Sequence, residues 1–477
     1  MSPLKKEYNM TNCGIDFGTT NSTLVFFSEE SGKFYIGDSK RTGTPMPSIV
    51  AINKNNGEIS VGSDVKDKLR TLENDCHIVL SIKTILNDEK KIWEAGDKKY
   101  TPVDVAAEIL KVLKKTAKTK QENISSAVIS VPVNFEASKK KCLKKAAEKA
   151  GIAVKKFISE PTAAFIAHYH ELRAFSRVVV FDWGGGTLDI SALEIKDGTI
   201  HEIYTDNLYK AGDNIDKEFA RKIYEKVVRE EGLKLIPFEH LSVAEYDELL
   251  EKTELAKISL SKKDSTKDLI TIQEKNLKVT FLYQELQDVA LPFVEEAIEK
   301  LSKVISFSFK NEVGCILCVG GSSKLRLLQE KLRPLFAPKL YFPDNPEWDI
   351  AEGACTVDAA PDDRGKYMLN NDIKIALSNG EWLTLLSKGQ PIPTKERIVH
   401  LSTVDCMETA NFVFKTGEHS EDMVTFPILG GIDEVITLSV YVDDFSVFHA
   451  IVKTNKDPTE YEVYACEKID LCYHIED

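Results

Sequence analysis

Hydrophobic and polar positions follow two different periodic patterns along this 477-residue chain. Up to about residue 355, short apolar runs alternate with longer stretches whose apolar residues recur every three or four positions. Such runs indicate buried strands and the longer period indicates helices, so this part is predicted to be α/β. The predicted strands are Cys13–Asp16, Thr23–Phe27, Ala127–Val131, Arg177–Asp182, Leu188–Ile195 and Cys315–Val319. Two predicted helices begin at Thr101 and after Gly321. The others span Glu136–Ala150, Pro161–Leu172, Ile215–Val228, Val243–Leu260 and Leu286–Lys303.

From Ile373 onward the pattern changes to short alternating segments separated by turn residues. Regular short strands with such turns are typical of an all-β sandwich. We therefore predict a first domain at 1–362, a linker at 363–372 and a β-sandwich domain at 373–477. The predicted strands of the sandwich are Leu383–Leu386, Ile398–Ser402, Phe412–Lys415, Val435–Val442, Phe448–Lys453 and Glu460–Ala465.

Charge separates the two parts further. The formal net charge is −13, and residues 401–477 hold 16 acidic and four basic residues, a net charge of −12. Residues 101–160 carry 13 lysines against six acidic residues. Their helices Lys111–Lys120 and Lys139–Lys149 could face rRNA or an acidic partner, or could simply present solvated faces. The acidic balance argues against nonspecific binding of nucleic acid, and we expect no direct DNA binding.

The chain contains no apolar run near the roughly 18 residues of a membrane helix, and its start, Met1–Thr11, is polar. We therefore expect no membrane association. Nine cysteines are scattered along the chain, and the pair Cys315 and Cys318 lies in an apolar run. We interpret them as buried thiols rather than a redox or metal pair, which favours the reducing cytosol.

Two similar hairpins carry the candidate chemistry. Residues 15–20 read Ile-Asp-Phe-Gly-Thr-Thr, and residues 181–187 read Phe-Asp-Trp-Gly-Gly-Gly-Thr. Each combines a strand, an aspartate, a Gly-Thr turn and a returning strand, which suggests a duplicated fold facing itself across a cleft. Glycine lets the backbone approach an anion closely, threonine hydroxyls donate hydrogen bonds, and a carboxylate can hold hydrated Mg²⁺. Taken alone, each hairpin is more often an ordinary tight turn than a phosphate site.

A third motif, Val319-Gly320-Gly321-Ser322-Ser323, runs from a predicted strand into a predicted helix. Backbone N–H groups at such a junction suit the ribose or phosphate of a nucleotide. The motifs of P-loop and Rossmann nucleotide sites are not found in the sequence. Together the three elements favour a phosphate site of another kind.

These segments resemble the heat shock protein 70 (DnaK-type chaperone) family. Gly14–Ser22 and Phe181–Ser191 are similar to its two phosphate loops, Ile158–Ala164 to its hinge motif, Val319–Ser323 to its adenosine motif and Ser81–Lys83 to its lysine segment. The similarity continues through Leu383–Leu385 and Ile392–Lys395, at the start of the family's β-sandwich. The resemblance implies an α/β actin-like ATPase of two lobes with a duplicated ribonuclease-H-like fold, followed by an all-β sandwich domain that binds substrate.

The resemblance also implies the site residues. Lys83, Glu160, Asp16, Asp182 and Thr187 would be catalytic, with Asp16 and Asp182 holding Mg²⁺ through water. ATP or ADP would contact a wider set of residues: Gly18, Thr19, Thr20, Asn21, Gly184, Gly185, Gly186, Thr187, Asp189, Gly212, Glu254, Lys257, Ser261, Gly320, Gly321, Ser322 and Lys324. Taken alone, Lys83 would be a surface lysine and Glu160 an acid at a helix start.

This sequence departs from the family pattern in three places. The two arginines that sandwich the adenine are replaced by Ile258 and Lys324, which predicts weaker adenine binding. The linker segment Tyr367–Asp372 keeps little of the family's leucine-rich run, and Lys140 stands in place of an arginine near Pro132, which puts ATP-driven allostery in doubt. The sequence stops at Asp477, so we expect no helical lid, as in the short ribosome-associated members.

The resulting prediction is a cytosolic ATP-binding chaperone or co-chaperone with slow ATP hydrolysis that assists folding of nascent polypeptides and acts in the stress response. The resemblance implies a J-domain protein, a nucleotide exchange factor, an unfolded or nascent polypeptide and the ribosome as partners. Two alternatives stay open at this point. One is a ribosome-associated scaffold that binds ATP structurally, and the other is a sugar or polyol kinase of the actin-like fold.

Overall fold

A computed structural model describes residues 11–28, 32–120, 123–360, 365–403, 408–417, 420–429 and 434–476. The chain divides into two compact units. Unit 1 consists of residues 1–131, 145–194 and 203–359, and unit 2 consists of residues 132–144, 195–202 and 360–477. Among the described residues, none of the helices is long and apolar enough to span a membrane.

Unit 1 alternates strands and helices, as the apolar pattern predicts. Its strands are β1 Asn12–Phe17, β2 Asn21–Ser28, β3 Gly32–Ile36, β4 Met46–Pro47, β5 Val50–Asn53, β6 Ile59–Val61, β7 Cys76–Val79, β8 Trp93–Ala95, β9 Lys98–Tyr100, β10 Ser126–Val131, β11 Ala153–Ser159, β12 Arg177–Trp183, β13 Leu188–Lys196, β14 Thr199–Leu208, β15 Ser265–Ile272, β16 Lys275–Leu282, β17 Cys315–Val319 and β18 Leu340–Tyr341. The tip of the β13–β14 hairpin belongs to unit 2.

The helices are α1 Ser63–Lys66, α2 Leu69–Glu73, α3 Pro102–Lys118, α4 Ala137–Lys149, α5 Glu160–Ala167, α6 Tyr169–Leu172, α7 Gly212–Glu230, α8 Val243–Leu260, α9 Tyr283–Phe309, α10 Arg326–Phe336 and α11 Asp349–Ala359. The predicted start of α3 is confirmed, because the Thr101 side chain accepts from the backbone N–H of Asp104 and Pro102 occupies the first helical position. Residues 137–144 of α4 belong to unit 2.

Two sheets of unit 1 repeat one plan, which confirms the predicted duplicated fold. In the first sheet, β1 pairs antiparallel with β2 and parallel with β10. In the second, β12 pairs antiparallel with β13 and parallel with β17. Helix α11 packs on β1 at Gly14, where an added Cβ atom would lie 2.2 Å from the carbonyl oxygen of Ala351. Only glycine permits this approach of helix and strand.

Two predicted elements of unit 1 are wrong in detail. The helix predicted at Pro161–Leu172 is split at His168, whose φ of −119° leaves the helical region. The α-helix predicted directly after Gly320-Gly321 is instead a 3₁₀ turn at Gly321–Lys324, and Leu325 with ψ of 118° separates it from α10. The predicted buried thiols are confirmed for Cys315 and Cys318, which lie in the fully buried strand β17.

Unit 2 contains the predicted sandwich. Its further strands are β19 Gly365–Leu369, β20 Ile373–Ala376, β21 Trp382–Leu386, β22 Arg397–Ser402, β23 Thr409–Thr416, β24 Ser420–Pro427, β25 Val435–Val442, β26 Phe448–Thr454, β27 Tyr461–Val463 and β28 Leu471–Ile475. One sheet has the order β21-β20-β23-β24 and the other β22-β25-β26-β27. Alternate residues of β25 and β26 are buried, so the apolar faces of the two sheets form the core.

A further strand ladder of unit 2 was not predicted. Strand β28 pairs with the β14 residues at the hairpin tip and with β19, which occupies part of the predicted linker. The predicted linker residues Asp363 and Arg364, the turn at 430–431 and the chain start at 1–10 lie outside the described residues.

Candidate functional site

The first predicted phosphate loop connects β1 to β2 and is held by backbone contacts. An added Cβ atom at Gly18 would lie 2.1 Å from the carbonyl oxygen of Asn21, so the loop closes only around glycine. The carbonyl oxygen of Thr20 accepts a hydrogen bond of 2.7 Å from the backbone N–H of Ser48. Thr19 lies between Gly18 and Thr20 in the same loop. Asp16 lies in β1, just before the loop, and its Oδ1 accepts a hydrogen bond of 2.8 Å from the Ser130 hydroxyl.

The second loop, residues 184–187, connects β12 to β13 and faces the first. The backbone N–H of Gly184 donates to the carbonyl oxygen of Thr187 at 2.9 Å, which forms a tight turn. An added Cβ atom at Gly185 would lie 2.7 Å from Thr20 Cγ2, and one at Gly186 would lie 2.4 Å from Thr20 Oγ1. The two loops therefore approach each other so closely that a side chain at Gly185 or Gly186 would displace the Thr20 side chain.

Two further segments hold the second loop. The backbone N–H groups of Gly212 and Asp213, at the start of α7, donate to the carbonyl oxygens of Gly184 and Gly185 at 3.3 and 2.8 Å. From the third motif, the Ser322 hydroxyl donates to the Gly184 carbonyl at 2.7 Å. All three predicted glycine-containing segments therefore meet.

The third motif also lies beside the second aspartate. Gly320 has a φ of +80°, and an added Cβ atom there would lie 2.4 Å from Asp182 Oδ1. Gly321 has open space around its Cα position. Glycine is required at position 320 both by the positive φ angle and by the neighbouring carboxylate of Asp182.

A buried ion pair joins Lys83 to Glu160. Lys83 sits on a short 3₁₀ turn, Ile82–Ile85, and only 4% of the residue is exposed. Its Nζ lies 2.5 Å from Glu160 Oε1, at the first residue of α5. The interpretation of Lys83 as a surface lysine is therefore wrong, because the side chain is withdrawn from water and paired. A buried charge of this kind needs its partner.

Several carboxylates crowd around this ion pair. Burial, together with the nearby Glu160 charge, raises the pKa of Asp16 to about 6. Burial and Glu160 likewise raise the pKa of Asp189 to about 6, and burial and Asp189 raise the pKa of Asp182 well above its usual range. Asp182 and Asp189 are direct partners across β12 and β13. The site thus holds more buried negative charge than Lys83 compensates, which a divalent cation would offset.

No three His, Cys, Asp or Glu side chains of the described residues converge to coordinate a metal directly. The prediction places Mg²⁺ beside Asp16 and Asp182 through water, and such outer contacts do not require that convergence. The donor set therefore fits a hydrated Mg²⁺ ion, since it is made of oxygen ligands with an uncompensated negative charge.

The predicted adenosine residues lie on α8, where their charges are already paired. Glu254 Oε1 lies 2.7 Å from Lys66 Nζ, and Arg41 lies 3.8 Å from its other oxygen. Burial would raise the pKa of Glu254, but Lys66 and then Lys257 outweigh it, so the pKa is lowered. Lys257 Nζ lies 2.6 Å from Asp216 Oδ2.

Other α8 and neighbouring positions are more open. The Ser261 hydroxyl donates to the Lys257 carbonyl at 3.2 Å. Ile258 is 55% exposed, and Lys324 pairs with Glu347 at 2.6 Å. The predicted adenosine side therefore consists mainly of paired charged side chains, in contrast to the glycine-lined loops predicted to bind phosphate.

Three residues at this side were missed by the sequence reasoning: Arg41, Lys66 and Asp216. Asp216 could have been noticed, because it occupies a buried position of the amphipathic helix α7, where an acid needs a partner. Arg41 and Lys66 lie in polar segments that carry no comparable signal.

Comparison with protein families agrees with this geometry. Residues 73–418 match the family model described as Hsp70 protein. The match covers well over half of the chain, and the chain belongs to the Hsp70 family. Members of this family are ATP-binding chaperones of actin-like fold that bind unfolded polypeptides and co-chaperones.

Proposed function

We propose that this member of the Hsp70 family hydrolyses ATP slowly between the two glycine-containing loops and assists the folding of nascent polypeptides. The observation that carries the proposal is the buried pair of Lys83 and Glu160 beside the carboxylates of Asp16 and Asp182. Phosphoryl transfer needs mainly positioning and charge stabilisation, and this set of groups supplies both. Membership of the Hsp70 family disfavours the alternative of a sugar or polyol kinase.

Each group has a proposed role in the reaction. The Lys83 ammonium stabilises negative charge that develops on the transferred phosphoryl group, and Glu160, held by that ammonium, orients the attacking water. The Thr187 hydroxyl donates to phosphate oxygens. The backbone N–H groups of residues 184–186 surround the phosphate chain without side-chain interference.

Asp16 and Asp182 would hold Mg²⁺ through water, and Asp189 would support them. When bound, the ion neutralises phosphate charge and orients the phosphates. Gly18, Thr19, Thr20 and Asn21 would contact the same phosphates, and the adenosine would lie against the residues of α7, α8 and the third motif: Gly212, Glu254, Lys257, Ser261, Gly320, Gly321, Ser322 and Lys324.

The proposal is tested with Lys83→Ala in single-turnover hydrolysis of ATP. We expect a loss of about 100-fold or more in rate, with ATP affinity changed only a few-fold, because the ammonium acts on developing charge. The matched control is Lys226→Ala, which also breaks a partly buried lysine ion pair, to Glu285 at 2.8 Å, far along α7 from the loops. Equal rates for Lys83→Ala and wild type would contradict the assignment.

We further propose a cytosolic location with a J-domain protein, a nucleotide exchange factor and the ribosome as partners. The acidic surface of residues 401–477 supports binding of basic polypeptide segments by electrostatic steering. Sedimentation of a lysate through sucrose at low salt tests the ribosomal role, and we expect the protein in ribosomal fractions. Its absence from them would exclude that role.

A further inference from the structure

We propose that the solvent-facing side of helix α3 binds the phosphate backbone of double-stranded RNA. The surface is a lysine stripe, which we define as Lys111, Lys114, Lys115 and Lys118. The inference rests on the ribosomal role proposed above for the identity of its partner, and it names the surface and the chemistry of that contact. The whole stripe lies in unit 1.

The spacing of the four lysines places them on one side of the helix. They occupy positions i, i+3, i+4 and i+7, which are neighbours on a helix surface, about 5–6 Å apart between Cβ atoms. Ile109 and Leu113, on the opposite side of α3, are fully buried. The lysines of the stripe are exposed except Lys114, which is partly buried and donates to the Gly151 carbonyl at 2.6 Å. Helix α3 is thus anchored by its apolar side and presents the stripe to solvent.

Most of the positive charge on the stripe is uncompensated. Lys111 has an ion pair of 2.7 Å with Glu108, whereas Lys115 and Lys118 form no ion pair within the described part of the chain. Like charges three or four positions apart destabilise a helix, and the helix dipole favours lysine only in the last turn. Helix stability therefore does not account for the stripe, which extends over two turns.

The second lysine-rich helix, α4, differs from α3 in this respect. Its residues 137–144 belong to unit 2, where Lys141 pairs with Glu462 at 3.4 Å. Lys144 Nζ lies 3.8 Å from the centre of the Phe445 ring, also in unit 2. These lysines of α4 already have partners. Of the two basic helices visible in the sequence, α3 therefore offers the uncompensated charge.

The residue types indicate which anion fits the stripe. Residues 101–131 contain five lysines but no arginine and no aromatic residue. Lysine acts as a point charge on phosphate, whereas arginine is preferred for paired contacts with carboxylates and bases. Binding of single strands uses aromatic side chains on which bases stack, and contact with the phosphates of a duplex does not need them. The proposed cytosolic location makes RNA the relevant duplex.

The charge of the whole chain confines such binding to this region. Residues 101–160 carry 13 lysines and six acidic residues, a net charge of +7, within a chain of net charge −13. RNA is repelled by the acidic regions and attracted only where lysines cluster. We therefore expect weak binding in one orientation, with a strong dependence on salt.

Fluorescence anisotropy with a labelled RNA duplex of about 20 base pairs tests the inference on the full chain. At about 50 mM salt, Lys115→Ala combined with Lys118→Ala should weaken binding about tenfold or more. The slope of log affinity against log salt should fall by about 2, because each phosphate contact contributes about 1. Lys303→Ala combined with Lys331→Ala is the matched control, since it removes two exposed helical lysines elsewhere in unit 1 and should change affinity less than twofold.

Three results would overturn the inference. The first is equal losses in the two double variants, which would mean that only net charge matters. The second is the lack of duplex binding by the wild-type protein at low salt. The third is displacement of the RNA by a peptide of about 20 glutamates at a tenfold lower concentration of charge than unlabelled duplex, which would assign the stripe to an acidic protein.

Two further measurements separate this inference from folding and from the ribosomal role. Alanine is the best helix former, so circular dichroism should show unchanged folding of the variants. Duplex binding by the purified wild-type protein, together with its absence from ribosomal fractions, would support the stripe and exclude only the ribosomal role.

Discussion

The predicted phosphate side and the predicted adenosine side of the candidate site are built by different means. On the phosphate side, glycine backbones approach within distances that no side chain permits, and the charges are buried. On the predicted adenosine side, Glu254 and Lys257 of α8 pair with side chains of α1 and α7, and Ile258 is half exposed. The comparison teaches that backbone sterics constrain the first region strongly, whereas the second tolerates substitution.

The largest expected effect is a steric block at the phosphate side. Gly186→Ala should weaken ATP binding about 10- to 100-fold, because its Cβ atom would lie 2.4 Å from Thr20 Oγ1. Gly184→Ala is the matched control, since the nearest atom to its Cβ is Thr187 O at 3.6 Å. Isothermal titration calorimetry measures both. Equal losses in the two variants would show that the loop contact is not the cause.

The next effect concerns the excess negative charge. Removal of Mg²⁺ by chelation should weaken ATP binding about tenfold in the wild-type protein, since phosphates and buried carboxylates then repel each other. Asp182→Asn removes one of these charges and should reduce this dependence to about threefold. Titrations with and without chelator give the ratio. If chelation weakens ATP binding by the same factor in the wild-type protein and in Asp182→Asn, Asp182 does not interact with the ion.

A smaller effect is expected at the adenosine side. Ile258→Arg should tighten ATP binding about fivefold, because a planar guanidinium can stack on the adenine and isoleucine cannot. Ile258→Lys carries the same charge without the planar group and should change affinity less than twofold. Calorimetry with ATP and with inorganic triphosphate separates base from phosphate contacts. A gain that appears equally with triphosphate would exclude stacking.

The smallest effect concerns the ion pair of Lys66 and Glu254. Lys66→Met should raise the dissociation rate of nucleotide only about threefold, because the pair joins α1 to α8 beside the predicted adenosine residues and partly exposed pairs contribute little. Stopped-flow displacement of a fluorescent ATP analogue measures this rate. Lys68→Met, a neighbouring lysine, serves as control. A tenfold change would mean that the adenosine side is as constrained as the phosphate side.

Much of the fold could be predicted from the sequence, because local patterns carry it. The apolar runs of β10, β12 and β17 and the alternation in β25 and β26 are visible without a structure. The two loops could be found because the glycines and threonines that form each tight turn are adjacent in the sequence. Lys83 and Glu160 could not be assigned from composition, since their pairing joins residues 77 positions apart. Only the resemblance to a family pointed to them.

The ladder formed by β28 in unit 2 could not be predicted for a related reason. The five residues of β28 carry no strong strand pattern, and their partners at Thr199–His201 lie far away in sequence. The split at His168 and the 3₁₀ turn before α10 depend on single backbone angles, which propensities do not determine.

The long separation between β28 and the hairpin bears on how the protein is made. Thr199 and His474 are 275 residues apart, so the ribosome must add that length before the pair can form. At about 5–20 residues per second, the edge of β14 waits tens of seconds for its neighbour. An unpaired edge is a template for wrong association. The edge of β14 at Thr199 therefore stays unpaired by β28 until the last residues of the chain have been synthesised.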